Sequence, residues 1–180
     1  MAISYATVKT ALYNWAIANL PALTPVIFWE PNSPRPTIPY VTLFLSSIIA
    51  PNQDYASQIS NSSGVINMSG DRKFTLEIQA YGGADPLTVL ENLRSSLQKQ
   101  TVLDTLRTSG LTFYQSLNLT DITNLIDSQW ERRASLDVLM GIGQLYTDNP
   151  GYFDHLQVEG LIEDQIGDII FDEIIDIPEL

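Results

Sequence analysis

The chain has 180 residues, of which 44% are hydrophobic and 17% charged, with a net charge of −12 and no cysteine. That length suits one compact domain, or a small domain with an extension, and the apolar share excludes disorder throughout. The absence of cysteine excludes disulfides, thiolate metal sites and cysteine nucleophiles.

Taken in chain order, Tyr5, Val8, Leu12 and Trp15 recur at helical spacing and predict a helix over 3–20, with Ser4 as its cap and Pro21 as its stop. Val26-Ile27-Phe28-Trp29 is a short apolar run that reads as a strand. Pro31, Pro34, Pro36 and Pro39 after it forbid a helix and predict an ordered loop or edge crossing. Tyr40 to Ile49 alternates as a strand, with Val41, Leu43 and Leu45 on one face. Residues 51–70 are polar and rich in Ser, Asn and Gln, which predicts a projecting β-arm or hairpin, because such a length exceeds a simple turn.

Phe74, Leu76, Ile78 and Ala80 then alternate with polar partners in the clearest half-buried strand of the chain, ended by Gly82-Gly83. Asp85-Pro86 is a cap followed by proline in the first helical position, and Leu87, Leu90, Leu93 and Leu97 continue as an apolar stripe. A second short helix is expected over Thr101–Ser109, closed by Gly110. Two more strands follow, over Leu111–Leu117 and Arg132–Ile142, the second burying Ala134, Leu136, Val138 and Met140. Strands joined without crossover helices predict an α+β fold: a mostly antiparallel β-sheet with helices packed on one face. The expected division is a domain over 1–149, with 51–70 as its arm, and an extended acidic C-terminal segment over 150–180.

Charge divides the same way. Up to Arg133 there are ten acidic and nine basic residues; after it there are eleven acids and no Lys or Arg. Scattered cations, densest at Arg72-Lys73 and Arg132-Arg133, disfavour a protein that tracks phosphates. With few charges, the surface is largely neutral and polar, which costs little to desolvate under another subunit. No run is long and apolar enough to span a bilayer, and the N-terminus lacks a secretory pattern, so no membrane partner is expected and the chain reads as soluble and unsecreted.

Nothing in the sequence assembles into a catalytic centre. His155 has no nucleophile or orienting partner near it, and Gly141-Ile142-Gly143 lacks the third glycine and the following helix of a phosphate loop, so it reads as a strand irregularity. Asp164, Asp168, Asp172, Glu173 and Asp176 lack the spacing of a calcium loop. They alternate with Leu161-Ile162, Ile169-Ile170-Phe171 and Ile174-Ile175, an amphipathic pattern that docks either on its own domain or on a neighbouring subunit. Arg132-Arg133 serves equally as a solvated pair or as a partner for carboxylates across a subunit boundary.

Several segments together resemble the phage neck or tail-terminator family. They are Trp29 with Asn32-Ser33-Pro34-Arg35-Pro36 and Pro39-Tyr40-Val41-Thr42-Leu43, then Gly70-Asp71-Arg72-Lys73-Phe74-Thr75-Leu76 running to Gln79-Ala80-Tyr81-Gly82, and Glu131-Arg132-Arg133-Ala134-Ser135-Leu136-Asp137-Val138. Their order covers roughly residues 3–145; beyond about Asn149 nothing resembles the family. The resemblance implies a small non-enzymatic α/β subunit, without cofactor or metal, six to a ring in the virion neck after assembly in the host cytoplasm. Its implied partners are copies of itself, the tail tube protein, the head-tail connector or adaptor and, as a further contact, the sheath, with DNA passing through the lumen unbound. Contact residues are expected at Trp29, Arg35, Tyr55, Arg72, Arg132 and Arg133, and at Ile169, Phe171 and Ile174 in the acidic segment. The alternatives are a tail-completion or adaptor protein elsewhere in the same virion and, as a separate class, a small soluble enzyme.

Overall fold

A computed structural model describes residues 4–22, 24–30, 32, 34–56, 65–126, 128–151, 156–163 and 169–177, the last two ranges as backbone. The chain divides into two compact units, one of residues 1–55 with 69–146, the other of 56–68 with 147–180.

The first unit begins with helix α1 (Tyr5–Asn19), whose Ser4 cap accepts the Thr7 amide at 3.4 Å. Val8, Leu12, Trp15 and Ala16 are buried, whereas Tyr5, which continues the same stripe, is 41% exposed because the core begins one turn later, at Val8. Leu20 turns extended ahead of Pro21, the conformation that a following proline imposes.

Strand β1 (Val26–Phe28) pairs with β2 (Tyr40–Ile49) in register Val26↔Val41, and the pairing is parallel. The sequence predicts a mostly antiparallel sheet, and two later pairings of the same sheet are antiparallel, whereas this one is parallel. The proline-rich stretch 29–39 replaces a crossover helix: it carries the chain back to the end of the sheet where β1 began. Backbone bonds extend the β1–β2 pairing at both ends of β1, Trp29 N–H to Leu43 C=O at 2.9 Å and Val41 N–H to Pro25 C=O at 2.8 Å.

After β3 (Tyr55–Ala56) comes β4 (Ile66–Tyr81), which starts inside the stretch expected to be a projecting arm. The tip of that arm, 57–64, lies outside the described residues. Helix α2 (Pro86–Ser96) is capped by Asp85, and α3 (Gln100–Thr108) ends at Gly110, which has φ +75° as its position requires. Next come β5 (Leu111–Asp121), a short hairpin of β6 (Asn124–Ile126) and β7 (Gln129–Glu131) that the sequence did not reveal, and β8 (Arg133–Asp148).

The main sheet runs β1-β2-β4-β8-β5, with β3 attached to β4. β2 and β4 are antiparallel in register Tyr40↔Tyr81, and β5 and β8 are antiparallel from Leu111↔Ile142. Alternation gives each central strand one apolar face: Phe74, Leu76, Ile78 and Ala80 on β4, and Ala134, Leu136, Val138 and Met140 on β8. All three helices contribute to the same core, through Leu12 of α1, Leu90 and Leu93 of α2 and Leu106 of α3, so they share one face of the sheet. One polar bond crosses this layer, from Trp15 Nε1 to the buried Ser96 Oγ at 3.0 Å.

Gly141 and Gly143 do not interrupt β8. The irregularities are on β5: the register passes from Phe113↔Met140 to Gln115↔Leu139, leaving Tyr114 as a bulge, and shifts again between Ser116 and Leu119. Tyr114 lies against Gly141, where a Cβ would meet its ring at 2.5 Å, and Lys73 Nζ sits 5.0 Å from the ring centre. Glycine is needed at 141 to admit this ring.

In the second unit, β9 (Leu156–Glu163) and β10 (Ile169–Ile177) form an antiparallel hairpin in register Phe171↔Ile162 through Ile177↔Leu156. His155, Asp164 and Asp168 lie outside the described residues.

Candidate functional site

The face of the main sheet opposite the helices carries Thr42, Phe44, Ser46, Thr75, Glu77, Gln79, Tyr81, Ser135 and Asp137, since these alternate with the core residues. At the end of that face where β2 starts and β4 finishes, Tyr40 and Tyr81 stack with ring centroids 4.6 Å apart. The Arg133 guanidinium lies 5.0 Å from the Tyr81 ring centre and bonds Glu131 at 2.9 Å. Arg35 approaches the same Glu131 oxygen at 3.9 Å. Arg133 holds the Glu131 carboxyl below the usual glutamate range, chiefly by that hydrogen bond and then by its charge, with Arg35 adding a smaller pull. Burial, followed by the neighbouring Tyr81, pushes the Tyr40 hydroxyl up.

An open cleft of about 470 Å³ adjoins this ladder, lined by Arg35, Pro36, Ile38, Tyr40, Ile126, Gln129, Trp130 and Glu131. Its walls come from the proline-rich stretch and the β6–β7 hairpin, where Ser128 has φ +68°. Trp130 is 72% exposed and Ile38 60%, unusual for such large apolar groups gathered in one place.

Thus Arg35 and Arg133, two of the residues expected to make contacts, meet around Glu131. Arg132, next to Arg133, turns elsewhere and donates to the Ala84 carbonyl. Trp29 is 49% exposed and packs edge-on to Phe44 at 5.2 Å, over a groove that also contains Thr42, Glu77, Gln79 and Tyr81. Among the described residues no ion pair reaches Glu77 or Asp137, which belong to adjacent strands. Burial, then the charge of Glu77, raises the Asp137 carboxyl above its ordinary value.

Arg72 lies nine residues before Tyr81 on β4, about 30 Å away at the rise of a strand. It is mostly shielded and forms a bidentate pair with Asp54, at 2.7 Å for each bond, while the Tyr146 hydroxyl donates to Asp54 at 3.0 Å. Arg72 therefore braces its own chain, and the adjoining Tyr55, 68% exposed, is the group left outward. On the hairpin, Phe171 and Ile174 take opposite faces by register, and Ile169 pairs with Glu163 ahead of a bulge.

Sequence reasoning missed Trp130 and Ile38 as surface groups and Asp54 and Glu131 as ionic partners. The usable signal was an aromatic residue, Trp130, directly after the polar run Asp127-Ser128-Gln129, where a turn is favoured. Among the described residues no three His, Asp or Glu side chains are grouped to hold a metal, and no helix is long and apolar enough to cross a membrane.

The first unit thus packs its helices on one face of the sheet and carries exposed aromatic and arginine groups at the rim, the groups enriched where proteins meet partners. Residues 6–166 match the phage neck terminator protein family, and the chain belongs to it. It is therefore a structural, tail-terminating component of the phage neck and not an enzyme. No curated protein matches the chain by sequence. Among solved structures it is similar to the PVC sheath/tube terminator of an extracellular contractile injection system in its extended state, at 12% identity and a TM-score of 0.47, over 92% of this chain. The chain spans 65% of that protein's length.

Proposed function

We propose that copies of this chain close into a ring of six at the neck of a tailed phage, ending the tail tube on one side and meeting the head-tail connector on the other. The observation that supports this reading is the cluster of large exposed groups on a family member whose core is otherwise complete: Trp130, Ile38 and Arg35 at one end of the sheet and Tyr55 elsewhere in the same unit. Aromatic and arginine residues of this kind are enriched where interfaces are strongest. In a closed ring each copy uses two different patches, which matches a subunit with chemically distinct ends.

The polar sheet face, with Glu77 and Asp137 unpaired by cations among the described residues, suits a wall past which DNA slides without being held. Assembly takes place in the host cytoplasm, and the sheath is a further neighbour if the tail is contractile. Gold-labelled antibody against the chain, applied to intact particles, tests the location: label at the head-tail junction supports the reading, and label at the distal tail tip overturns it.

A further inference from the structure

Strands β4 and β8 are each 16 residues long, yet the core uses only part of them. Full burial starts at Phe74 on β4 and stops at Ile142 on β8, so 66–73 and 143–148 run on past it as parts of neighbouring strands, with β3 paired to β4. The chain passes between the two units at three places, after Tyr55, before Ser69 and after Tyr146. Each falls inside a strand: β3, β4 and β8 in turn.

Two features meet there. Gly70 of β4 and Gly143 of β8 line one open hollow of about 330 Å³ with Tyr55, Ser69, Asp71 and Gln144, and glycine inside a strand leaves the backbone free to bend. At 70 a Cβ would overlap the Asp54 carboxylate, whereas at 143 it would meet nothing within 4 Å, so lack of room does not explain the second glycine. The other feature is the cluster of Asp54, Arg72 and Tyr146, which takes one residue from beside each crossing. Arg72 grips both Asp54 oxygens at 2.7 Å and donates to the Asp71 carbonyl at 3.0 Å, while the Tyr146 hydroxyl donates to Asp54 at 3.0 Å. With side chains 19% and 11% exposed, Arg72 and Asp54 are poorly screened by water, and a bidentate pair of this kind is among the stronger ionic contacts.

We propose that β4 and β8 flex at Gly70 and Gly143, and that the Asp54–Arg72–Tyr146 cluster is the latch that holds this joint closed. The strands that carry the chain into the second unit are then gripped through one carboxylate, and loss of any member loosens them together. The joint acts within a single copy and does not depend on the ring.

Hydrogen exchange of the full-length chain, followed by mass spectrometry, reads this strand by strand. Arg72→Ala is expected to lower protection at least about tenfold in 66–70 and in 144–148 together, while 74–80 and 134–140 keep theirs. Tyr146→Phe, which removes only a hydroxyl, is expected to give the same pattern at smaller amplitude, and it decides the matter if Arg72→Ala does not fold. Gly143→Val is expected to act the other way, because valine favours extended backbone and position 143 is exposed with nothing close to its Cβ. It should raise protection in 144–148 and recover part of the loss in the Arg72→Ala background. A loss confined to 66–72, or none at all, makes the cluster a brace of one strand and overturns the latch. A loss that spreads through 74–80 makes the cluster part of the core, which also overturns it. Gly143→Val protein that gains no protection in 144–148 overturns the joint.

Discussion

Tyr40 and Tyr81 face each other across β2 and β4 as a stacked pair, with an angle of 8° between the rings, directly beneath the Arg133 guanidinium. This contact links the proline-rich stretch, the end of the central strand and the start of β8 at the point where the exposed cleft begins. A rigid base for the cleft follows from packing and not from the cleft residues themselves. Tyr81→Ala should therefore disturb assembly although Tyr81 is nearly buried, and Tyr81→Phe should retain it, because the stacked ring remains. Analytical ultracentrifugation of the two variants checks this; equal loss of assembly in both would point to the hydroxyl instead.

Core and surface should separate cleanly. Leu136 is fully buried at the centre of β8, so Leu136→Ala should cost about 2–5 kcal/mol of unfolding free energy. Trp130→Ala should change the stability of the isolated subunit by less than about 0.5 kcal/mol, since the ring has little to lose from solvent. Urea unfolding measures both, and a large loss at Trp130 would mean that its ring supports the fold.

The Asp54–Arg72 pair gives an acid-side pH dependence. Hydrogen bonding to Arg72, then to Tyr146, holds the Asp54 carboxyl below the ordinary value of 3.8. Its contribution is fully present above that value and is lost as pH falls through the depressed folded value. Asp54→Asn should flatten the stability profile in that range. Gly70→Ala should do the same, because a Cβ at 70 would overlap Asp54 Oδ1 and displace the carboxylate. Thermal melts from pH 2 to 5 test both; an unchanged profile in Gly70→Ala would show that the loop yields without breaking the pair.

Asp137 should behave in the opposite sense. Burial and Glu77 raise its carboxyl, so the charged form opposes folding at neutral pH, and that penalty fades as pH falls through the raised value towards 3.8. Asp137→Asn should be more stable than wild type at pH 7, with the difference closing at low pH. If Asp137→Asn is less stable at neutral pH, a cation outside the single chain pairs with it.

How much of this was legible depended on how local the cause was. The strands through Phe74–Ala80 and Ala134–Met140, the Asp85-Pro86 helix start and the Gly110 stop are written in neighbouring residues, so spacing and capping chemistry suffice to find them. The parallel pairing of β1 was not legible, because strand direction depends on where the proline-rich stretch returns the chain. Three-residue strands such as β6 and β7 are too short to show a period, which hid the hairpin carrying Trp130. The site was half visible: the arginines stood out, but Asp54 and Arg72 are 18 positions apart, and nothing in their neighbourhoods announces the pair. Arg132 and Arg133 read as one feature and diverge because consecutive residues of extended chain leave it in different directions.

The proposed ring requires that copies meet through unlike patches and close a circle of six. Native mass measurement of the purified full-length chain over a range of concentrations tests it most directly. The expected result is a dominant species of six times the 20.0 kDa subunit mass, reached without stable dimers of like patches. A species that stays at the subunit mass when concentrated, in a protein also absent from purified particles, would contradict it.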